Sequence, residues 1–299
     1  MIRLDNISHS FGDVRSLENV TAEIRDGSIY GLIGSNGSGK STLLRIMCGV
    51  YRPETGGVYY DGVEVFEEPG VKSGVIYISD EPYFVANSTL ASMAKFYAGI
   101  YRSFDYTRYE ELVQLFGLPT ERKLSGFSKG MKKQAAIILS LASRPRCLLF
   151  DETFDGLDPK MRRLFCGIIA EAAADGITSI VASHSLRELE DICDHIGLLS
   201  GGKLLVSCEL DEMREKAHKV QAVIKNRESA EFAALVPSLI GLKWSGSLAT
   251  FVLKGSESEV RSAVEAVCGD YYELIPLTLE EIFISEMEGS GYDVNQIIQ

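Results

Sequence analysis

Gly34-Ser35-Asn36-Gly37-Ser38-Gly39-Lys40-Ser41 decides the fold of this 299-residue chain. Its spacing, G-x-x-x-x-G-K-S, is that of a loop built to hold phosphate. The glycines let consecutive backbone N–H groups turn inward and cradle phosphate oxygens. Lys40 brings a mobile positive charge to the β- and γ-phosphates of a nucleoside triphosphate. Ser41 offers a hydroxyl to Mg²⁺. The helix that opens here, with Ser41 and Thr42 in its first turn, directs its positive end at the anion. The flanks agree: residues 28–33 read as a short buried strand entering the loop, and residues 42–47 as the helix leaving it. A Gly/Ser turn that merely happened to contain a lysine would have neither flank.

Working outward, the next signal is Cys147-Leu148-Leu149-Phe150-Asp151-Glu152. An apolar strand that ends in two carboxylates sets them at its C-terminal end, where α/β sheets bind ligands. Asp151 is read as a hard oxygen ligand for Mg²⁺, and Glu152 as the group that polarises an attacking water. A strand ending in ordinary surface acids is the bland alternative, and the upstream phosphate loop argues against it.

The rest of the chain supplies the frame. Strands are expected at 2–11, 20–24 and 75–79, with a hairpin over 58–65 turning at Asp61-Gly62. Residues 88–145 read as a helical insert. Strands and helices then alternate: strand 147–150, helix 159–174, strand 177–182, helix 185–193 with a Ser185/Glu188 capping box, and strands 196–199 and 203–206 around Gly201-Gly202. Such alternation implies a doubly wound, largely parallel sheet. From residue 209 a second unit is expected, in the order β-α-β-β-α-β of a ferredoxin-like domain. A last helix over 279–287 would be capped by Thr278 and Glu281. The domain boundaries are thus 1–208 and 209–299.

Loop, carboxylate strand and helical insert together resemble the nucleotide-binding domain of ATP-binding cassette (ABC) transporters. The resemblance covers residues 1–215. It implies the P-loop NTPase fold of that family: α/β, a doubly wound mixed sheet with an antiparallel β subdomain and a helical subdomain. The family signature, usually written L-S-G-G-Q, matches Phe127-Ser128-Lys129-Gly130-Met131. Leu124-Ser125-Gly126 is rejected because its register loses the second glycine and the following helix. By the resemblance Ser128 and Gly130 contact the γ-phosphate held by the opposite subunit; an ordinary serine-capped helix start is the alternative. Phe11 matches the aromatic that stacks on adenine, with a core phenylalanine as the alternative. Asp155-Gly156-Leu157-Asp158 matches the loop that meets its twin across the dimer, although Asp158 is also a helix N-cap before Pro159. His184 matches the switch histidine beside the γ-phosphate.

One position departs. Where the family often has Gln as a Mg²⁺ ligand and sensor of the membrane partner, this chain has Asp80. It is read as a third oxygen ligand beside Ser41 and Asp151, its charge tolerable mainly with Mg²⁺ between it and the phosphates; a surface acid is the alternative. The resemblance therefore implies ATP and Mg²⁺ as ligands. Lys40, Glu152 and His184 are its catalytic groups, and residues 34–42, Phe11, Ser128, Gly130 and Asp158 bind nucleotide.

Bulk properties narrow the function. Apolar residues make up 45%, enough for a substantial core. The net charge of −12 argues against a nucleic-acid partner, which would call for a basic patch. No apolar run approaches the roughly 18–20 residues that span a bilayer. The six cysteines are scattered and the four histidines lack metal-ligand spacing. The expected protein is the cytoplasmic ATPase subunit of an exporter, a homodimer or heterodimer held to the inner face of the membrane only by separate permease subunits. By the resemblance its cargo is a peptide, a lantibiotic or a drug. A non-transport ABC ATPase on ribosomes or DNA is the alternative.

Overall fold

The computed structural model describes residues 1–154, 157–268, 271–278 and 281. The chain opens with β1 (Ile2–Phe11) and β2 (Val14–Ile24), paired antiparallel across a turn at Gly12, where φ is +58°. Ile2, Leu4, Ile7, Leu17, Val20 and Ile24 all point inward, so apolar packing defines the pair. β2 starts at Val14 and not at residue 20. Its first residues are exposed and carry no apolar alternation; backbone pairing of Ser10 with Arg15 and Phe11 with Val14 holds them.

β3 (Ile29–Ile33) is buried along its whole length and runs into the glycine loop, from which α1 (Lys40–Met47) departs. β4 (Thr55–Tyr60) and β5 (Val63–Glu64) form a hairpin. Asp61 and Gly62, at φ +50° and +83°, make the left-handed turn whose twist suits the two strands. A one-turn helix α2 (Pro69–Lys72) leads to β6 (Val75–Ile78). The helical insert holds α3 (Leu90–Ile100), capped by Thr89 with Ser92, α4 (Tyr106–Phe116), capped by Asp105, and α5 (Lys129–Ala142), capped by Ser128. Leu124–Gly126 is a single 3₁₀ turn.

Then come β7 (Cys147–Asp151), α6 (Pro159–Ala174), β8 (Thr178–Ser183), α7 (Leu186–Leu189), β9 (His195–Ser200) and β10 (Lys203–Glu209). α7 is four residues long, and the side chain of Ser185 caps nothing. The expected capping box fails because Glu188 has stronger partners, accepting from Ser183 Oγ at 2.6 Å and from Arg162 Nη2 at 3.0 Å.

β2, β1, β4 and β5 form one antiparallel sheet in that order. The second sheet runs β10-β9-β3-β8-β7-β6, parallel from β9 to β6. Parallel register puts the carboxyl ends of β3, β8, β7 and β6 on one edge. The glycine loop, His184, Asp151 with Glu152, and Asp80 all leave from that edge. One core fills the space around both sheets, from Ile2 and Tyr60 to Leu149 and Ile180.

The chain divides into two compact units after Ser207. The second contains α8 (Leu210–Lys216), β11 (Ala217–Val223), α9 (Ala230–Leu235), β12 (Ile240–Ser245), β13 (Leu248–Lys254), α10 (Glu257–Cys268) and β14 (Tyr272–Ile275). Its sheet order is β12-β13-β11-β14, all antiparallel, with Val220, Phe232, Phe251, Val260 and Val264 in its own core. α8 was not among the expected elements. Thr278 and Glu281 make both bonds of the reciprocal cap, at 3.1 and 3.3 Å. The remainder of the expected 279–287 helix, like Asp155 and Gly156, lies outside the described residues.

Candidate functional site

Gly39 caps α1 at φ +110°, a conformation a side chain would resist, and a Cβ there would sit 2.6 Å from the carbonyl of Ser16. Gly37, at φ +81°, meets nothing within 4 Å of where its Cβ would be. The backbone thus curls around an open space onto which the first N–H groups of α1, lacking intrahelical acceptors, are directed. Ser38 Oγ is buried without a protein partner. A phosphate fits such a cradle, since its oxygens accept from N–H and O–H donors. Lys40 bends back over the loop, donating to Gly34 O at 2.6 Å and Ser35 O at 3.2 Å. Thr42 Oγ1 accepts from Ser16 Oγ at 2.9 Å.

The end of β7 meets this loop. Ser41 Oγ donates to Asp151 Oδ1 at 2.9 Å, and Tyr77 OH donates to Oδ2 at 2.6 Å. Burial, reinforced by the Asp151 carboxylate, pushes the Tyr77 phenol well up, so it remains a donor at working pH. Ser41 and Asp151 present hard oxygens side by side at the phosphate loop, a donor set that suits Mg²⁺.

Glu152 is held on every side. Its φ is +50°, rare for a side chain of this size. Its N–H donates to Ala182 O at 3.1 Å, and its carbonyl accepts from Lys133 Nζ at 2.8 Å. Its carboxylate, 17% exposed, has Lys40 at 3.1 Å on Oε1 and His184 Nδ1 at 2.9 Å on Oε2. His184 follows β8. The preceding Ser183 is fixed by its bond to Glu188, and Ser185 N donates back to Ser183 Oγ at 2.9 Å.

Phe11 is half-exposed, which removes the core reading. Its ring meets His9 edge-on at 4.8 Å and Tyr51 at 5.6 Å between centroids, and His9 stacks on Tyr51. With Ser16, Gly37, Lys40, Thr42 and Glu152, Phe11 lines the cleft above the loop. Ser128, Gly130 and Asp158 do not line it. Ser128 caps α5 by accepting from Met131 N, Gly130 faces open space, and Asp158 caps α6 by accepting from Lys160 N and Met161 N.

Asp80 is ion-paired. Lys129 holds its Oδ2 at 2.9 Å and Lys133 its Oδ1 at 2.8 Å. Burial works against the charged form, but the two ammoniums outweigh it and hold the carboxyl below the usual range. Asp80, the expected third metal ligand, serves in this structure as the counter-ion of two lysines on α5. Sequence reasoning also passed over Tyr77, Arg162 and Lys133. Only Lys133 carried a signal: it shares a helix face with Ile137 and Ser140, both buried.

Residues 17–155 match the family model described as ABC transporter. Over 290 residues the chain is 31% identical to the ABC transporter ATP-binding protein YtrB of Bacillus subtilis (strain 168), covering 97% of this chain and 99% of that one. It is 31% identical over 226 residues to the bacitracin transport ATP-binding protein BcrA of Bacillus licheniformis, covering 73% of each. A solved ATP-binding subunit of an ABC transporter superposes with a TM-score of 0.67 at 27% identity, covering 72% of this chain and 92% of that one.

Proposed function

The chain belongs to the ATP-binding subunits of ABC transporters, and from that premise we propose that it hydrolyses Mg–ATP in a head-to-tail dimer to drive export through separate membrane subunits. No helix among the described residues is long and apolar enough to cross a membrane. Resemblance to a bacitracin transport protein supports a peptide antibiotic, a lantibiotic or a drug as cargo. The site of work is then the inner face of the cell membrane, on the permease.

The carrying observation is the Glu152 carboxylate, held by Lys40 on one oxygen and His184 on the other. Phosphates entering the cradle draw the Lys40 ammonium toward themselves, because it already reaches over the loop. That frees Oε1 of Glu152 to take a proton from water, while His184 keeps Oε2 in place. Ser41 and Asp151 would hold Mg²⁺, which neutralises charge on the β- and γ-phosphates when bound. Phe11 offers its exposed face to the base. In the dimer, Ser128 and Gly130 at the start of α5 close on the partner's nucleotide, and Asp158 meets its twin. The second unit contains none of these groups, and we assign it to holding the dimer together when the ATP sites open.

Glu152→Gln tests the reading. It keeps the shape and removes the proton acceptor, so turnover falls by about 10³-fold or more while ATP binding remains. Size-exclusion chromatography with ATP and Mg²⁺ then shows a trapped dimer. Turnover within a few-fold of the parent removes Glu152 from the role. The same column run on a chain ending at Ser207 tests the second unit: it binds ATP but dissociates more readily without nucleotide. Unchanged dimerisation of that chain would refute the assignment.

A further inference from the structure

Lys133 is a lysine with no solvent exposure, in the second turn of α5. A buried ammonium is costly, and an apolar residue in its place is often neutral or stabilising. Two of its contacts bear on the site. Its Nζ donates to the carbonyl of Glu152 at 2.8 Å and pairs with Asp80 Oδ1 at 2.8 Å. Both partners lie at the carboxyl edge of the parallel sheet, Asp80 beyond β6 and Glu152 beyond β7.

Simple neutralisation of Asp80 does not explain the arrangement. Lys129, largely in solvent, already pairs with the other oxygen at 2.9 Å. The contact with Glu152 does explain it. At φ +50° this residue occupies a strained backbone region, which persists only where its surroundings over-determine it. Ala182 holds the N–H side of the residue, and Lys133 holds the carbonyl side from within α5. Releasing the carbonyl lets the backbone relax, and a rotation there swings the carboxylate away from Lys40 and His184.

We propose that Lys133 is a positioning residue for hydrolysis: it fixes the Glu152 peptide so that the carboxylate meets the attacking water, with Asp80 as the counter-ion that aims it. This rests on Glu152 being the group that accepts the proton of water. Ser128 caps α5, so the tie links the loop after β6, the start of α5 and the Glu152 peptide.

The experiment uses the full chain, with steady-state ATPase rates, ATP affinity by calorimetry and melting midpoints for each variant. Lys133→Met keeps the apolar stem and removes the ammonium; kcat falls about 10- to 100-fold while ATP affinity stays within about 3-fold. Asp80→Asn strands the ammonium and lowers kcat about tenfold on the same grounds. Asp80→Asn combined with Lys133→Gln makes a neutral pair whose amide still donates to the Glu152 carbonyl, and its kcat returns to within about fivefold of the parent, a coupling that independent sites do not show. A Lys133→Met chain turning over at the parental rate overturns the proposal. So does a double variant as slow as the product of Asp80→Asn and Lys133→Gln measured singly, and this arm decides the matter if Lys133→Met does not fold. Glu152→Gln, run alongside, separates the two readings. If it turns over normally, the catalytic assignment fails; if it is dead while Lys133→Met is normal, only the role of Lys133 fails.

Discussion

β6 and β7 lie side by side, Ile78 against Phe150, and each is followed by an acid at the same edge of the sheet. The two acids have opposite surroundings. Asp151 is 5% exposed and takes hydroxyl donors, Ser41 and Tyr77. Asp80 is 40% exposed and takes two ammoniums, Lys129 and Lys133. Hydroxyls orient a carboxylate and leave its charge uncancelled, whereas ammoniums cancel it. On the proposed reading, Asp151 keeps an uncancelled charge for a divalent cation, whereas the two ammoniums compete for that of Asp80. Position at the edge makes an acid available; its neighbours decide what it can bind.

The comparison is most exposed to a Mg²⁺ titration of ATPase activity. Asp151→Asn should cut turnover about 10³-fold and raise the Mg²⁺ midpoint about 10-fold or more, since a metal-side charge is lost. Asp80→Asn should leave the midpoint unchanged although its turnover falls. An equal shift of the midpoint in both variants would make Asp80 a metal ligand after all and erase the distinction.

Tyr77→Phe sharpens the same contrast with a smaller effect. The variant removes a neutral donor and no charge. Turnover should fall about three- to tenfold as Asp151 loses orientation, with the Mg²⁺ midpoint moving less than about threefold. A midpoint displaced as far as that of Asp151→Asn would mean that the phenol sets the affinity of the site, and that hydroxyl and ammonium neighbours differ less than argued.

The two acids also show where reading the sequence stops. The phosphate loop, the apolar strand before Asp151 and the capping Ser128 are local patterns, and their consequences lie within a few residues of the pattern itself. The partners of Asp80 sit on α5, 49 residues away for Lys129, and no local rule announces such a pair. The expected capping box failed for a related reason: Glu188 suited it by spacing, but nearby Ser183 and the distant Arg162 claimed its carboxylate. α8 was different. Leu210-Asp211-Glu212-Met213-Arg214-Glu215-Lys216 has acids in its first turn and a base in its last, a helix signal that is legible in the sequence. The backbone strain at Glu152 has no sequence signature, because it arises where β7, β8 and α5 meet.

The smallest effect concerns pH, and it tests the cancelled charge directly. The ammoniums hold the Asp80 carboxyl below its ordinary value of 3.8. A depressed carboxyl stabilises the fold fully above its unfolded value, and that contribution is lost as pH falls through the folded one. The pair therefore contributes the same at pH 8 as at pH 5 and fades only below about 3.8. Because Asp80 is 40% exposed, solvent screens the pair, and the acid-labile part is about 1 kcal/mol or less. Urea denaturation of the parent and of Asp80→Asn should show a stability gap that is flat from pH 8 to pH 5 and narrows below pH 4. The variant has no carboxyl left to protonate, so other titrating acids cancel in the difference. A gap that narrows between pH 7 and pH 5 would mean a raised carboxyl in place of a depressed one, and Asp80 would then not be the counter-ion that aims Lys133.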